Sequence, residues 1–70
     1  MTTGKIKRII KRLRNKPAVV ETTSGARYQV DYGLFVSVSR GIRGLHVSID
    51  LPNGLILKLR PNEIEAIRAE

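Results

Sequence analysis

The side chains in this chain best placed to do chemistry are cations. Between Lys5 and Lys16 the sequence reads K-I-K-R-I-I-K-R-L-R-N-K, carrying Lys5, Lys7, Arg8, Lys11, Arg12, Arg14 and Lys16. No acidic residue lies among them or before them. From residue 17 to residue 70 six basic side chains are balanced by six acidic ones, so the formal net charge of +7 resides in the first sixteen residues. The chemistry available to such a run is neutralisation of a polyanion. Each cation set against a phosphate releases a condensed counterion, which gives affinity that is steep in salt and nearly blind to base sequence.

Other constellations carry less. His46, Ser48 and Asp50 alternate along one stretch and so share a face, but His46 and Asp50 stand about 13 Å apart on an extended strand. No nucleophile elbow or oxyanion loop accompanies them, so a catalytic triad is excluded on geometry. The chain has no cysteine and one histidine, which leaves no thiolate or multi-histidine metal site. No pair of carboxylates sits in an apolar context to act as acid and base. The chain therefore reads as a non-enzyme without cofactor. Gly41-Ile42-Arg43-Gly44 has the G-x-x-G spacing of the nucleotide clamp in KH domains, where the loop joins two helices; here strands flank it. The milder reading is a glycine-flexible hairpin from which Arg40 and Arg43 reach phosphates as a second contact.

The cations need an element to hold them. Ile6, Ile9, Ile10 and Leu13 fall at i, i+3, i+4 and i+7, the spacing of one apolar stripe on a helix, and the basic residues take the remaining arc. Thr2 or Thr3 suits the N-cap, and Pro17 stops the helix, which is expected from about Gly4 to Asn15. Seven like charges on so short a helix repel one another, so docking of the stripe or a bound anion must compensate.

Beyond Pro17 the period changes from 3.6 to 2. Ala18 to Thr23 is β-branched, and Ser24-Gly25 turns it into Ala26 to Tyr32, with Tyr28, Val30 and Tyr32 on one face. Gly33 marks a bulge or sharp bend. Leu34 to Ser39 alternates with Leu34, Val36 and Val38 inward; Phe35 lies opposite and is expected to pack under the helix. Leu45 to Asp50 places Leu45, Val47 and Ile49 inward. After the turn Leu51-Pro52-Asn53-Gly54, the residues Leu55, Leu57 and Leu59 give one more apolar face. Pro61 to Ala66 suits either a short helix or a turn of 3₁₀ followed by a last strand, Glu65 to Arg68, with the second favoured.

These elements amount to one α+β, mainly β domain over residues 1–70. A basic amphipathic helix precedes a five-stranded antiparallel sheet, either strongly bent into a small SH3-like or Sm-like barrel or left open and roofed by the helix. No apolar run approaches a membrane span and no secretory leader is recognisable, so a soluble, cytoplasmic protein is expected. The leading functional reading is a small regulatory or architectural nucleic-acid-binding protein. Its site is Lys5, Lys7, Arg8, Lys11, Arg12, Arg14 and Lys16, with Arg40 and Arg43 behind. Double-stranded DNA is favoured over RNA, because exposed aromatics for base stacking are scarce. The alternative is a regulator or inhibitor, of the kind phages and plasmids encode, that docks on an acidic protein surface through charge and the apolar anchors Ile6, Ile10 and Phe35. A membrane surface fits less well, because the stripe lacks Trp and Phe and is needed to cover the sheet. Edge strands of a short barrel would also allow a homodimer.

Overall fold

The computed structural model describes all residues from Met1 to Glu70. Helix α1 spans Thr3–Arg12, followed by β1 (Ala18–Thr22), β2 (Arg27–Val30), a 3₁₀ turn at Gly33–Phe35, β3 (Val36–Gly41), β4 (Gly44–Asp50), β5 (Ile56–Leu59), a second 3₁₀ turn at Pro61–Glu63, and β6 (Ile64–Ala69). The α+β, mainly β class stands. The single five-stranded sheet does not: there are two antiparallel three-stranded sheets, ordered β2-β1-β6 and β3-β4-β5.

The division has a local cause. β2 was expected to run to Tyr32 and β3 to begin at Leu34. Instead the Gly33 amide donates to the carbonyls of Leu13 (3.1 Å) and Lys16 (2.9 Å), and the Leu34 amide to that of Arg14 (3.2 Å). The path that would have formed one bent strand is spent on the end of α1. The resulting turn rotates the chain, so Leu34, expected inward, is 45% exposed, while Phe35 packs against the core. Tyr32, also expected inward, is 47% exposed and tilts against Phe35 with ring centroids 5.9 Å apart.

The helix is shorter than its periodicity suggested, for the same reason. Thr2 caps it, its hydroxyl accepting from the Lys5 amide at 3.3 Å. It closes at Arg12 rather than Asn15, because Leu13 to Lys16 unwind to offer their carbonyls to Gly33 and Leu34. Ile6 and Leu13 are buried, and Ile9 and Ile10 flank them against the core. That core draws on both sheets: Ala18 and Val20 from β1, Val30 from β2, Val36 from β3, Val47 and Ile49 from β4, Ile64 and Ile67 from β6.

Turn chemistry sets the remaining boundaries. Thr22 Oγ1, buried, accepts from the Ala26 amide at 3.1 Å and shares a 2.8 Å bond with Ser24, closing the β1–β2 hairpin. β3 and β4 pair as far as Gly41 opposite Gly44, so the expected loop Arg40–Gly44 shrinks to Ile42 and Arg43, with Gly44 at φ +109°. Leu55 and Leu45, expected inward, are exposed. Leu55 belongs to the turn, its amide bound to Asn53 Oδ1, and Leu45 lies beyond the end of the core. The 3₁₀ turn and final strand expected after Arg60 are present, the strand reaching further, to Ala69 opposite Ala18. Between Glu21 and Thr22 the β1–β6 register slips, leaving Glu65 as an extra residue. Ile64 and Ile67, three apart, thereby both face inward.

Ile6 is the contact through which α1 joins this core. Replacing Ile6 with Ala is expected to lower unfolding free energy by about 2–4 kcal/mol, read from urea denaturation, because it leaves a cavity between helix and sheets. In a domain this small that is much of the total.

Candidate nucleic-acid interface

Helical geometry sorts the cations. At 100° per residue, the buried stripe of Ile6, Ile9, Ile10 and Leu13 occupies about a third of the circumference, and two ranks of charge flank it. Lys7 and Lys11 lie beyond Ile10, with Arg14 continuing the line past the helix end. Lys5, Arg8 and Arg12 lie beyond Ile9. Lys16 follows in the turn. All seven side chains are exposed. The only salt bridge in the molecule, Glu21 to Arg68 at 3.0 Å, lies on the β1–β6 pair and involves none of them. The helix has no acidic residue in its first turn and two cations, Lys11 and Arg12, in its last, where the dipole favours them.

The first rank borders a groove. Lys7, Lys11 and Arg14 form one wall, Leu34 and Val36 to Val38 of β3 the other, and Ile10 lies between, around a volume of about 600 Å³. Gly33 holds the groove's end in register. A Cβ built on it would lie 2.4 Å from the Leu13 carbonyl oxygen and 2.7 Å from its carbon, so any side chain here drives helix and strand apart. The constraint is close approach of two backbones rather than an unusual φ.

Arg40 and Arg43 do not join the helix cations. Arg40 lies near the far end of β3, about 7 Å along the strand from Val38 where the groove ends, and Arg43 follows in the β3–β4 turn. They also part from each other. Arg43 shares a concavity with His46, Lys58 and Arg60, whereas Arg40, paired with Leu45, lies outside it. Lys58 and Arg60 were not singled out by sequence; their placement opposite Leu57 and Leu59 identified them as outward-facing but gave no sign of what they meet. Of the apolar anchors expected for a protein partner, Ile6 is fully buried and is excluded. Phe35 packs with Tyr32 away from the helix groove, beside Asp50 to Pro52. Ile10 lines the groove, and beside it lies Leu34 rather than Phe35.

No helix is long and apolar enough to cross a membrane. The chain matches no protein-family model, and neither the curated proteins nor the solved structures contain a match.

Two outcomes test this geometry. Gly33→Ala is expected to cost about 2 kcal/mol or more of stability in urea, since backbone rather than a flexible side chain must give way. Lys7→Glu is expected to raise stability by about 0.5 kcal/mol, seen as a small increase in melting temperature. It removes the Lys7–Lys11 repulsion and creates a Glu-to-Lys pair at i,i+4.

Proposed function

We propose that this protein binds nucleic acid without catalysis, setting the two cationic ranks of α1 against phosphates, with double-stranded DNA as the favoured target. The observation that carries the reading is the concentration of the whole formal charge of +7 on one docked segment whose cations are all exposed and have no acidic partner. Self-repulsion of this kind is a stability cost with no structural return, since hydrophobic docking through Ile6 and Leu13 would proceed as well with glutamates interleaved.

Dimensions favour a duplex. An α-helix with its side chains is about 10–12 Å across and the major groove of B-DNA is about 12 Å wide. A helix held by its apolar stripe and entering the groove outer arc first directs Lys7, Lys11 and Arg14 to one backbone and Lys5, Arg8 and Arg12 to the other. The residue of α1 midway between the ranks is Gly4, which gives nothing with which to read bases, so binding is nearly independent of sequence. In this reading the two sheets are halves of a small SH3-like or Sm-like barrel whose second strand is broken at Gly33–Phe35, and the barrel's task is to orient the helix.

A second reading rests on the groove. Half of its lining is apolar, with Ile10, Leu34, Val36 and Val38 beside the cations, and β3 pairs on one side only. An acidic protein segment bringing an apolar anchor suits that mixture.

Titration of the protein against a labelled 30-base-pair duplex by fluorescence anisotropy separates the two. Tight binding with a log–log salt slope of about −4 or steeper is expected, flattening by about 2–3 in the triple variant K7Q/K11Q/R14Q. Leu34→Ala is expected to leave duplex affinity within about twofold. Absence of binding at roughly 50 mM salt refutes the nucleic-acid reading; stronger displacement by single-stranded RNA than by unlabelled duplex refutes the preference for DNA.

A further inference from the structure

The outer face of the β3-β4-β5 sheet is polar, basic and unoccupied by any other element of the chain, and the function of α1 does not account for it. Residues directly opposite in antiparallel strands share a face. Ser37 stands opposite Ser48, and Ser48 opposite Lys58, so these three form one row across the sheet. Ser39 stands opposite His46 in the next row. At the end of the strands His46, Arg43, Lys58 and Arg60, with Ile42 and Leu45 beside them, surround a concavity of about 380 Å³. His46 folds over Gly41 so closely that a Cβ there would lie 3.2 Å from its Nδ1, which leaves the face low in relief. The one acidic residue on the face is Asp50, opposite Ile56 at the far end, away from the cations.

This face is continuous with the helix site. Ser37 lines the α1–β3 groove together with Lys7, Lys11 and Arg14, and the same Ser37 begins the row that ends at Lys58. Across two strand spacings that row spans about 10 Å, longer than the separation of neighbouring phosphates along a chain and shorter than that of next-nearest ones. The chemistry along it is uniform: hydroxyls that donate to phosphate oxygens, then Lys58, Arg60 and Arg43 as charges. None of these cations is held in a salt bridge.

We propose that the outer face of this sheet is a second phosphate-binding surface, on which the backbone strand that passes Lys7, Lys11 and Arg14 continues over Ser37 and Ser48 to Lys58, Arg60 and Arg43. The inference rests on the nucleic-acid reading of α1 and extends its footprint from a helix to a helix and a sheet. Its ligand is the phosphodiester backbone, since the face has no aromatic ring to stack on a base, and its exposed apolar side chains Ile42 and Ile56 stand at opposite ends instead of forming one pocket.

The test compares the sheet variant R43Q/K58Q/R60Q with the helix variant K7Q/K11Q/R14Q on the same 30-base-pair duplex, after urea denaturation has confirmed that each folds. The sheet variant is expected to bind at least tenfold more weakly at about 100 mM salt, with a log–log slope flatter by about 2–3. Ser37→Asp is expected to weaken binding more than Thr23→Asp, which adds the same charge at the exposed β1–β2 turn. Unchanged affinity and slope in the sheet variant, with loss in the helix variant, overturns the inference and leaves the reading of α1 standing. Loss in the sheet variant with none in the helix variant overturns the reading of α1 and leaves the sheet as the site by itself. Failure of the unmodified protein to bind overturns both.

Discussion

The arrangement depends on three hydrogen bonds at the end of the helix. The amides of Gly33 and Leu34 donate to the carbonyls of Leu13, Arg14 and Lys16, so the segment just past the end of α1 is tied to the bend between β2 and β3. The chain leaving the helix thus has its carbonyls met by the backbone of a 3₁₀ turn, with no glycine cap at the helix end itself. The exchange fixes three things together. The helix ends at Arg12, the second and third strands separate, and Arg14 stands beside Leu34 at the mouth of the groove. The absence of a side chain at Gly33 permits all of them, since a Cβ would meet the Leu13 carbonyl.

From that contact the logic of the molecule follows outward. A helix crowded with like charge would not persist alone, and the core stabilises it through Ile6 and Leu13 while the sheet bend holds its end. The two sheets need the helix in turn, because a chain of this length has little apolar surface to bury, and Ile6 of α1 with Leu13 at its C-cap are two members of the core. The cations are therefore carried on an element that the fold cannot discard. The repulsion among these charges is a local cost that the docking of Ile6 and Leu13 offsets.

The parts of this that are written in the sequence are those governed by period and charge. The stripe of Ile6, Ile9, Ile10 and Leu13, the alternation of Val36 and Val38, and that of Val47 and Ile49 follow from geometry that needs no tertiary information. What pattern alone hides is where a tertiary bond overrides it. Leu34 and Tyr32 continue a faultless alternation, yet they are turned outward because Gly33 is drawn to the helix. Leu45 and Leu55 extend strands past the limit of the core, and nothing in their neighbours marks that limit. β6 is obscured for a different reason: the extra residue at Glu65 sets Ile64 and Ile67 three apart, a helical spacing on a strand. The gathering of Arg43 with Lys58 and Arg60 is beyond sequence reading as well, since it depends on which strands pair.

The pairing of β1 with β6 has a consequence for how the chain comes to be folded. Ala18 lies opposite Ala69, and Val20 opposite Ile67, contacts that join positions far apart in sequence. The hairpins β1–β2, β3–β4 and β4–β5 are local and form early, but the sheet that buries Val20 is incomplete until residues near 69 have been synthesised. During translation the N-terminal segment therefore emerges first, fully charged, and waits for most of the chain before its seat exists. Closure of the last strand is the event that gives Lys5 to Lys16 a fixed orientation.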